Sequence, residues 1–358
     1  MATLAPDPDS DPVSDPSKAG REPLRYETMS YAVDPGQAPL RVDLFLTARL
    51  EKVSRSRIRQ CADAGLLEVD GKTVKANHKV KPGQTVTISL PRFHPEATLI
   101  AEDIPLDIRY EDDDLLVLYK PAGLVVHPGA GNWTGTMVHG LLHHLPKITS
   151  DALDPERLGL VHRLDKDTSG LLVVAKHVQA AEHLSRQFAE RRTERRYEAL
   201  VWGEFDEREG TITSEIGRHP RKRLIHAVLP EGEGGKHAIT HYTVRENLGY
   251  VALLDLRLET GRTHQIRVHM AEEGHPLFGD VAYDGNRVVK GTVFTKYRRF
   301  VENCLAVLPR QALHARLLGF EHPTTGEMMR FEAEAPADFL EVLDRWRRYS
   351  GLIKPSDA

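Results

Sequence analysis

The stretch "HRLDKDTSG" at 162–170 sets two carboxylates, Asp165 and Asp167, and one guanidinium, Arg163, between two apolar runs. The runs ending at Leu164 and starting at Gly170 read as strands, which makes residues 165–169 a tight connection. Such a turn can hold one carboxylate in a cleft, where it acts as a nucleophile or promotes departure of a leaving group. Asp and Ser also populate turns because they hydrogen-bond the local backbone, so the stretch by itself reads first as a solvated turn. Asp167, beside Thr168 and Ser169, fits the turn-fixing part better than Asp165 does.

Three further stretches carry matching chemistry. "ETGRTHQIRVHM" at 259–270 follows a strand-like run and is expected to open a helix near Thr263, placing Arg262 and Arg267 near a helix start, a region that favours anions. "RRYEALVWG" starts a strand at Tyr197, and "YKPAGLVVHPGAG" bends the chain just after Lys120. Metal and phosphate-loop readings are poorly supported. There is no HExxH, His264 and His269 lie five apart, and "GEGGK" lacks the full GxxxxGK[ST] spacing. His162 reads as ordering the loop around Asp165. Cys61 and Cys304 are far apart and form no CxxC, so they read as reduced thiols.

These residues need a scaffold of mixed type. "DLLVLYK", "GLLVVAK", "YEALVWG" and "YVALLDLRLET" are short apolar runs bounded by Gly, Pro and Asp, as strands are. "QAAEHLSRQFAERR" and "DFLEVLDRWRRY" space apolar residues along one helix face. Without regular βαβ alternation, the pattern predicts an α+β domain on a mixed, mainly antiparallel sheet over 107–350.

The front of the chain differs. Residues 1–28 hold five prolines and six acids against three bases, too few apolar groups to offset ordering entropy, and read as a disordered acidic tail. They resemble neither a secretory nor a transit peptide, and no later stretch approaches the roughly 20 apolar residues of a membrane helix, so a cytoplasmic protein is expected. From Arg41 to Arg92, eleven Lys and Arg oppose five Asp and Glu in a chain whose net charge is -4. "RVDLFLTARL" has helical spacing; a second helix runs from Ser54 as N-cap to Gly65 as stop, and Asp70-Gly71 marks a hairpin. Arg55 and Arg59 share a helix face suited to an RNA backbone, while Ile58, Cys61 and Ala62 face inward. Residues 40–91 resemble the S4 RNA-binding domain, with 92–106 as linker.

The larger part resembles the RluA family of RNA pseudouridine synthases. "HRLDKDTSG", "KPAGLVVHPG", "RRYEAL", "TGRTHQIRVHM", "GHPLFGD" and "LHARLLGFEHP" occur in the family's order and approximate spacing. The resemblance implies that Asp165 is the catalytic aspartate. Arg163 then enters the RNA stack, Tyr197 packs on the flipped uracil, and Arg267 pairs with the aspartate. Lys120 and Pro121 fall on the family's KP motif and shape the site. The reaction breaks the N1–C1' bond of uridine, turns the base, rejoins it through C5 and removes the C5 proton, with no cofactor or metal. Either the Tyr197 phenol or a water could take that proton.

Within the family, "GRHPRKR" and "THYTVREN" behind an S4 domain resemble the D-type branch, which implies uridines of large-subunit ribosomal RNA, or of its assembly particles, as substrate for a monomeric enzyme. The alternatives are a C-type synthase with other ribosomal sites, an assembly-associated RNA-binding protein whose catalytic domain is a relic, and a hydrolytic glycosidase. The last would normally require two carboxylates across the sugar.

Overall fold

The structure, a computed structural model, describes residues 26–50, 53, 55–91, 99–129, 132–145, 158–222 and 225–353. Most of the proline- and acid-rich segment, residues 92–98 of the expected linker, Ser54 and Arg223 lie outside them. The chain divides into two compact units, 1–98 and 99–358.

The first unit contains β1 (Tyr26–Ala32), β2 (Leu40–Arg41), α1 (Val42–Thr47), α2 (Arg55–Asp63), β3 (Leu67–Val69), β4 (Lys72–Thr73), β5 (Lys79–Val80) and β6 (Thr85–Pro91). One sheet has the order β1-β6-β3-β4, and β2 pairs with β5. Asp70 and Gly71 both adopt positive φ, 52° and 72°, as a two-residue hairpin turn between β3 and β4 requires. Ile58, Cys61 and Ala62 are buried against Phe45, Leu46 and Leu67. The segment read as tail ends earlier than Thr28, because β1 begins at Tyr26 and pairs along its whole length with β6. Its alternating hydroxyls meet those of β6, Thr28 with Ser89 at 2.9 Å and Ser30 with Thr87 at 3.0 Å. Composition could not reveal this strand, since its partner lies some sixty residues away.

The second unit is built on β7 (Asp107–Glu111), β8 (Leu115–Lys120), β9 (Ser169–Ala175), β10 (Glu194–Trp202), β11 (Glu209–Arg218), β12 (His226–Leu229), β13 (Lys236–Asn247), β14 (Val251–Leu258), β15 (Leu313–Glu321) and β16 (Met328–Glu332). They form one sheet of order β12-β11-β13-β14-β10-β15-β9-β8-β7, with β16 added beside β15. Every pairing is antiparallel except β15 with β9. The helices are α3 (Met137–His144), α4 (Val178–Ala189), α5 (Gln265–Glu272), α6 (Thr295–Val307) and α7 (Ala337–Ile353).

The sheet is covered on both sides. Leu116, Leu118, Leu172 and Val174 point into one core with Met137, Leu141, Ile266 and Met270. Their neighbours Leu115, Val117, Leu171 and Val173 point into another with Ala180, Leu184 and Phe320. A third core gathers Trp202, Phe278, Tyr297, Phe339 and Trp346 beneath α6 and α7. Strands buried on both faces read as continuous apolar runs, which explains "LLVLYK" and "SGLLVVA". Gly170, at φ +126°, lets β9 and β15 approach closely, since a β-carbon there would lie 2.3 Å from the Ala315 carbonyl oxygen.

One expected strand is absent. Residues 161–164 form no strand; the stretch meets β9 through an isolated bridge from Leu160 to Val174 and through the His162 ring, which accepts from the Val173 N–H. The apolar run owes its character to burial of Leu158 and Leu164, not to strand pairing.

Candidate active site

Asp165 sits in the loop that leads into β9, and the backbone closes its turn: the Thr168 N–H donates to the Asp165 carbonyl at 3.1 Å. The turn-fixing part expected of the Asp167 side chain is thus taken by this bond, while the Asp167 carbonyl accepts from Arg310 at 3.1 Å. Lys120 anchors the loop from below. It is fully buried, and its Nζ donates to three carbonyls, Pro121 at 2.7 Å, Leu124 at 3.0 Å and Lys166 at 2.9 Å. Burial draws its ionisation down to about 7. Lys120 thus joins the KP bend to the Asp165 loop, its ammonium turned to backbone carbonyls.

Tyr197 enters from β10, beside a register shift between Arg196 and Tyr197 against β15. Such an irregularity turns a side chain relative to the strand. Its ring belongs to the core, and burial raises the phenol's pKa, with Asp165 adding to the rise and Arg195 opposing it. Arg267 enters from the third position of α5. Its Nη1 donates to Asp165 Oδ2 at 3.1 Å, while Nε and Nη2 make a two-pronged bond to Asp280 at 2.7 and 2.9 Å. Burial opposes the charge, but the Asp280 and Asp165 carboxylates outweigh it and raise the Arg267 pKa further. Asp280 is itself fully buried and also accepts from the Ala282 and Tyr283 N–H groups.

A cavity of about 310 Å³ brings Arg163, Asp165, Tyr197, Arg262, His264 and Arg267 to one surface. A neighbouring cavity of about 900 Å³ shares Arg163, Asp165, His264 and Arg267. Arg163 is exposed, with no carboxylate partner among the described residues. The site therefore offers one carboxylate held by a guanidinium, an aromatic wall and an exposed cation at the mouth. The helix expected near Thr263 starts at Gln265, and Arg262 lines the cavity with its Nε donating to the His237 carbonyl at 3.0 Å. His162 holds the loop as expected, accepting from the Val173 N–H at 3.0 Å and stacking on Phe188 at 4.5 Å; burial lowers its ionisation to about 3.

Comparison with known proteins yields the same identification. The RNA pseudouridylate synthase family matches residues 114–272, and the S4 domain family matches residues 40–86. A Chlorobaculum parvum protein described as an uncharacterized RNA pseudouridine synthase is 46% identical over 322 residues, covering 89% of this chain and 98% of its own. The chain belongs to the RNA pseudouridine synthase family. It is an isomerase of that family with an N-terminal S4 domain. The Vibrio vulnificus ribosomal large subunit pseudouridine synthase D is 43% identical over 321 residues, covering 89% of this chain and 95% of its own. Among solved structures, human RNA pseudouridylate synthase domain containing 4 superposes with a TM-score of 0.52 at 26% identity, covering 67% of this chain and 93% of that one.

Sequence reasoning misses two features of this synthase. Asp280 lies inside "GHPLFGD", but nothing local marks it as the partner of Arg267 thirteen residues earlier. His264 is a poor chelate partner by its spacing, yet its Nε2 lies 3.8 Å from Asp165 Oδ2. It adopts φ +58°, a left-handed conformation that costs a side chain with a β-carbon about 1 kcal/mol. Such strain within a site is a pointer to function.

Arg55 and Arg59 also have an internal task. Asp43 is fully buried and receives Arg41 at 2.9 Å, Arg55 at 2.9 Å and Arg59 at 3.8 Å. The two helix arginines remain part-exposed, 43% and 56%, so they can face solvent while neutralising that carboxylate.

Elsewhere, Asp112, Asp114 and His322 bring three possible metal-ligand atoms together at the end of β8 opposite Lys120. Their lone pairs are engaged. Asp112 accepts from the Asp114 and Leu115 N–H groups, from the Tyr110 hydroxyl and from His322, while His322 Nδ1 accepts from the Thr324 and Thr325 N–H groups. A hydrogen-bonded turn accounts for the cluster. No helix among the described residues is long and apolar enough to cross a membrane.

Proposed function

We propose that the protein converts uridines of large-subunit ribosomal RNA to pseudouridine, with Asp165 as the catalytic carboxylate. The observation carrying this reading is the Asp165–Arg267 contact at 3.1 Å within a cavity walled by Tyr197. The substrate class rests on the relatives named for the ribosomal large subunit.

A base paired or stacked in RNA must leave its helix before Asp165 can reach the ribose, at a cost on the order of a few kcal/mol. Arg163 stands exposed at the cavity mouth, where a guanidinium can fill the vacated place in the stack. Tyr197 offers the departed base an aromatic surface. Asp165 then acts at C1' or promotes loss of the base, while Arg267 keeps the carboxylate oriented. The uracil turns within the closed site and reattaches through C5. Burial raises the pKa of the Tyr197 phenol, and its ring packs against the base. The S4 unit contributes backbone contacts, Arg55 and Arg59 among them, that place a ribosomal RNA or an assembly particle for one copy of the enzyme in the cytoplasm.

The test is a nucleotide-resolution pseudouridine map of large-subunit RNA from cells with the gene deleted, complemented by wild type or by Asp165→Asn. The sites lost on deletion should return with wild type alone. Loss of sites outside large-subunit RNA, with that RNA unchanged, would refute the substrate class.

A further inference from the structure

Arg195 lines the same cavity as Asp165 and Tyr197 and has no part in the steps above. It lies two residues before Tyr197 on β10, and alternation along the strand puts both on one buried face, while Glu194, Arg196 and Glu198 turn the other way. Arg195 is 7% exposed. Of the two buried arginines in this cavity wall, Arg267 is committed to Asp165 and Asp280, whereas Arg195 has no carboxylate partner among the described residues. Burying a guanidinium is costly unless its N–H groups are used.

Those of Arg195 are used in part. Nη2 makes all the hydrogen bonds that its guanidinium has among the described residues, to the Glu259 carbonyl at 3.0 Å and the Leu258 carbonyl at 3.4 Å, and so ties β10 to the end of β14. Nε is buried with no partner among these residues, and Nη1 makes no bond to them either. A tie between strands needs Nη2 alone, so the idle donors call for another explanation. Nη1 lies beside Gly261, which also lines the cavity, and a β-carbon there would come within 2.9 Å of it. Gly261 stands outside the left-handed region, so its backbone does not call for glycine. The missing side chain leaves the approach to Nη1 open.

A group that only donates takes an acceptor oxygen. The neighbouring walls are Tyr197, Leu258, Ile266 and Leu313, all buried, which suit a flat base and not a hydrated phosphate. Uracil carries carbonyl oxygens at C2 and C4. Both gain charge when N1–C1' breaks, because the bonding pair stays with the base and spreads over N1, O2 and O4. That holds whether Asp165 attacks C1' or promotes departure of the base. We infer that Arg195 Nη1 donates to a carbonyl oxygen of the flipped uracil and stabilises the negative charge that the base acquires as N1–C1' breaks. The same electron pair is then available to form C5–C1', and the proton later lost from C5 is matched by the one gained at N1. Arg195 gives up no proton, and no further reactant is needed.

This assignment rests on Asp165 being the reacting carboxylate, and the test separates the two. Single-turnover rates are measured in the full chain on large-subunit RNA fragments whose target is already unpaired, so that opening the helix does not limit. The target is uridine, 2-thiouridine or 4-thiouridine, since sulfur accepts a hydrogen bond more weakly than oxygen. Arg195→Met removes the donors; Gly261→Ala crowds Nη1 and leaves the Nη2 tie in place; Asp165→Asn is assayed beside them. Arg195→Met should slow uridine turnover by about 10²-fold, with RNA affinity near the wild type's. At one of the two thio positions, the ratio of uridine to thiouridine rates should fall by about tenfold from wild type to Arg195→Met, because the bond that sulfur weakens is already gone. Gly261→Ala should move that ratio the same way, and it decides the matter if Arg195→Met does not fold. A role confined to tying strands would slow all three substrates alike, so ratios equal to the wild type's at both positions in every folded variant overturn the assignment, whatever the rates. An active Asp165→Asn would instead remove the reading of the site on which the assignment stands.

Discussion

Asp280 grips Arg267 at Nε and Nη2, at 2.7 and 2.9 Å, and so leaves Nη1 as the nitrogen that reaches Asp165 at 3.1 Å. The guanidinium is a bridge between one fully buried carboxylate and one at the cavity wall. Arg alone among the cationic side chains has the planar fork for both contacts. Asp280→Asn removes the charge that holds the fork, and breaking a buried pair of this kind costs about 3 to 5 kcal/mol. Its expected signature is a lower melting temperature together with reduced turnover. Arg267→Lys should lose turnover as well, because an ammonium cannot span both partners. Wild-type kinetics in Arg267→Lys would show that the bridge has no part in the reaction.

Asp165→Asn should abolish product formation while leaving the melting temperature and RNA affinity near wild type, being nearly isosteric. Asp167→Asn should keep most activity, since the contact with Arg310 is made by the Asp167 main-chain carbonyl, which the substitution leaves in place. Release of tritium from RNA labelled at uracil C5 measures both. The opposite ranking would mean that the wrong aspartate has been assigned.

Arg163→Ala should lose more activity on a structured RNA than on a short strand whose target uridine is already unpaired, since only the first must be opened. Single-turnover rates on the two substrates provide the comparison. An equal loss on both would move Arg163 from base displacement into the chemistry.

Removal of residues 1–91 should leave the Asp165 site assembled, as all its side chains belong to the second unit, but weaken binding of ribosomal RNA. The slope of log affinity against log salt should flatten by about 0.7 to 0.9 for each phosphate that the shortened chain no longer neutralises. Within the S4 unit, Arg59→Ala is the cleaner probe, because Arg55 lies closer to buried Asp43. Arg55→Ala should add a small stability loss, about 1 kcal/mol or less, measurable by thermal unfolding. Salt titrations identical for the truncated and full-length chains would exclude a positioning role for this unit.

Acid should destabilise the second unit partly through Asp112. Burial opposes its charge, but bonds from Tyr110, Leu115, Asp114 and His322 prevail and bring its pKa from 3.8 to about 2. A carboxyl whose pKa is lower folded than unfolded stabilises the native state above its unfolded pKa. That contribution is complete above about pH 4 and lost as the pH falls toward about 2. Asp112→Asn should therefore flatten the fall of the unfolding midpoint in this window. An unchanged acid limb would assign the loss to other carboxylates.

The family, the α+β class and the S4 unit were legible in the chain because each is carried by local pattern. Continuous apolar runs mark strands buried on both faces, Asp70-Gly71 marks a hairpin, and "HRLD", "RRYEAL" and "RTHQIR" hold their residues at set spacings. Other partners distant along the chain were not legible. The strand β1 exists only because β6 offers it hydrogen bonds, and the run before Asp165 is apolar because it is buried, not because it is paired. Asp280 became the holder of Arg267, and Arg262 turned to the His237 carbonyl, through packing of α5 on its neighbours. His264 shows the division most clearly. Its identity was visible in the motif, but its left-handed backbone, its contact with Tyr283 and its approach to Asp165 belong to the folded chain. Sequence spacing specifies which groups share an element, whereas contacts between side chains of different elements depend on how those elements pack.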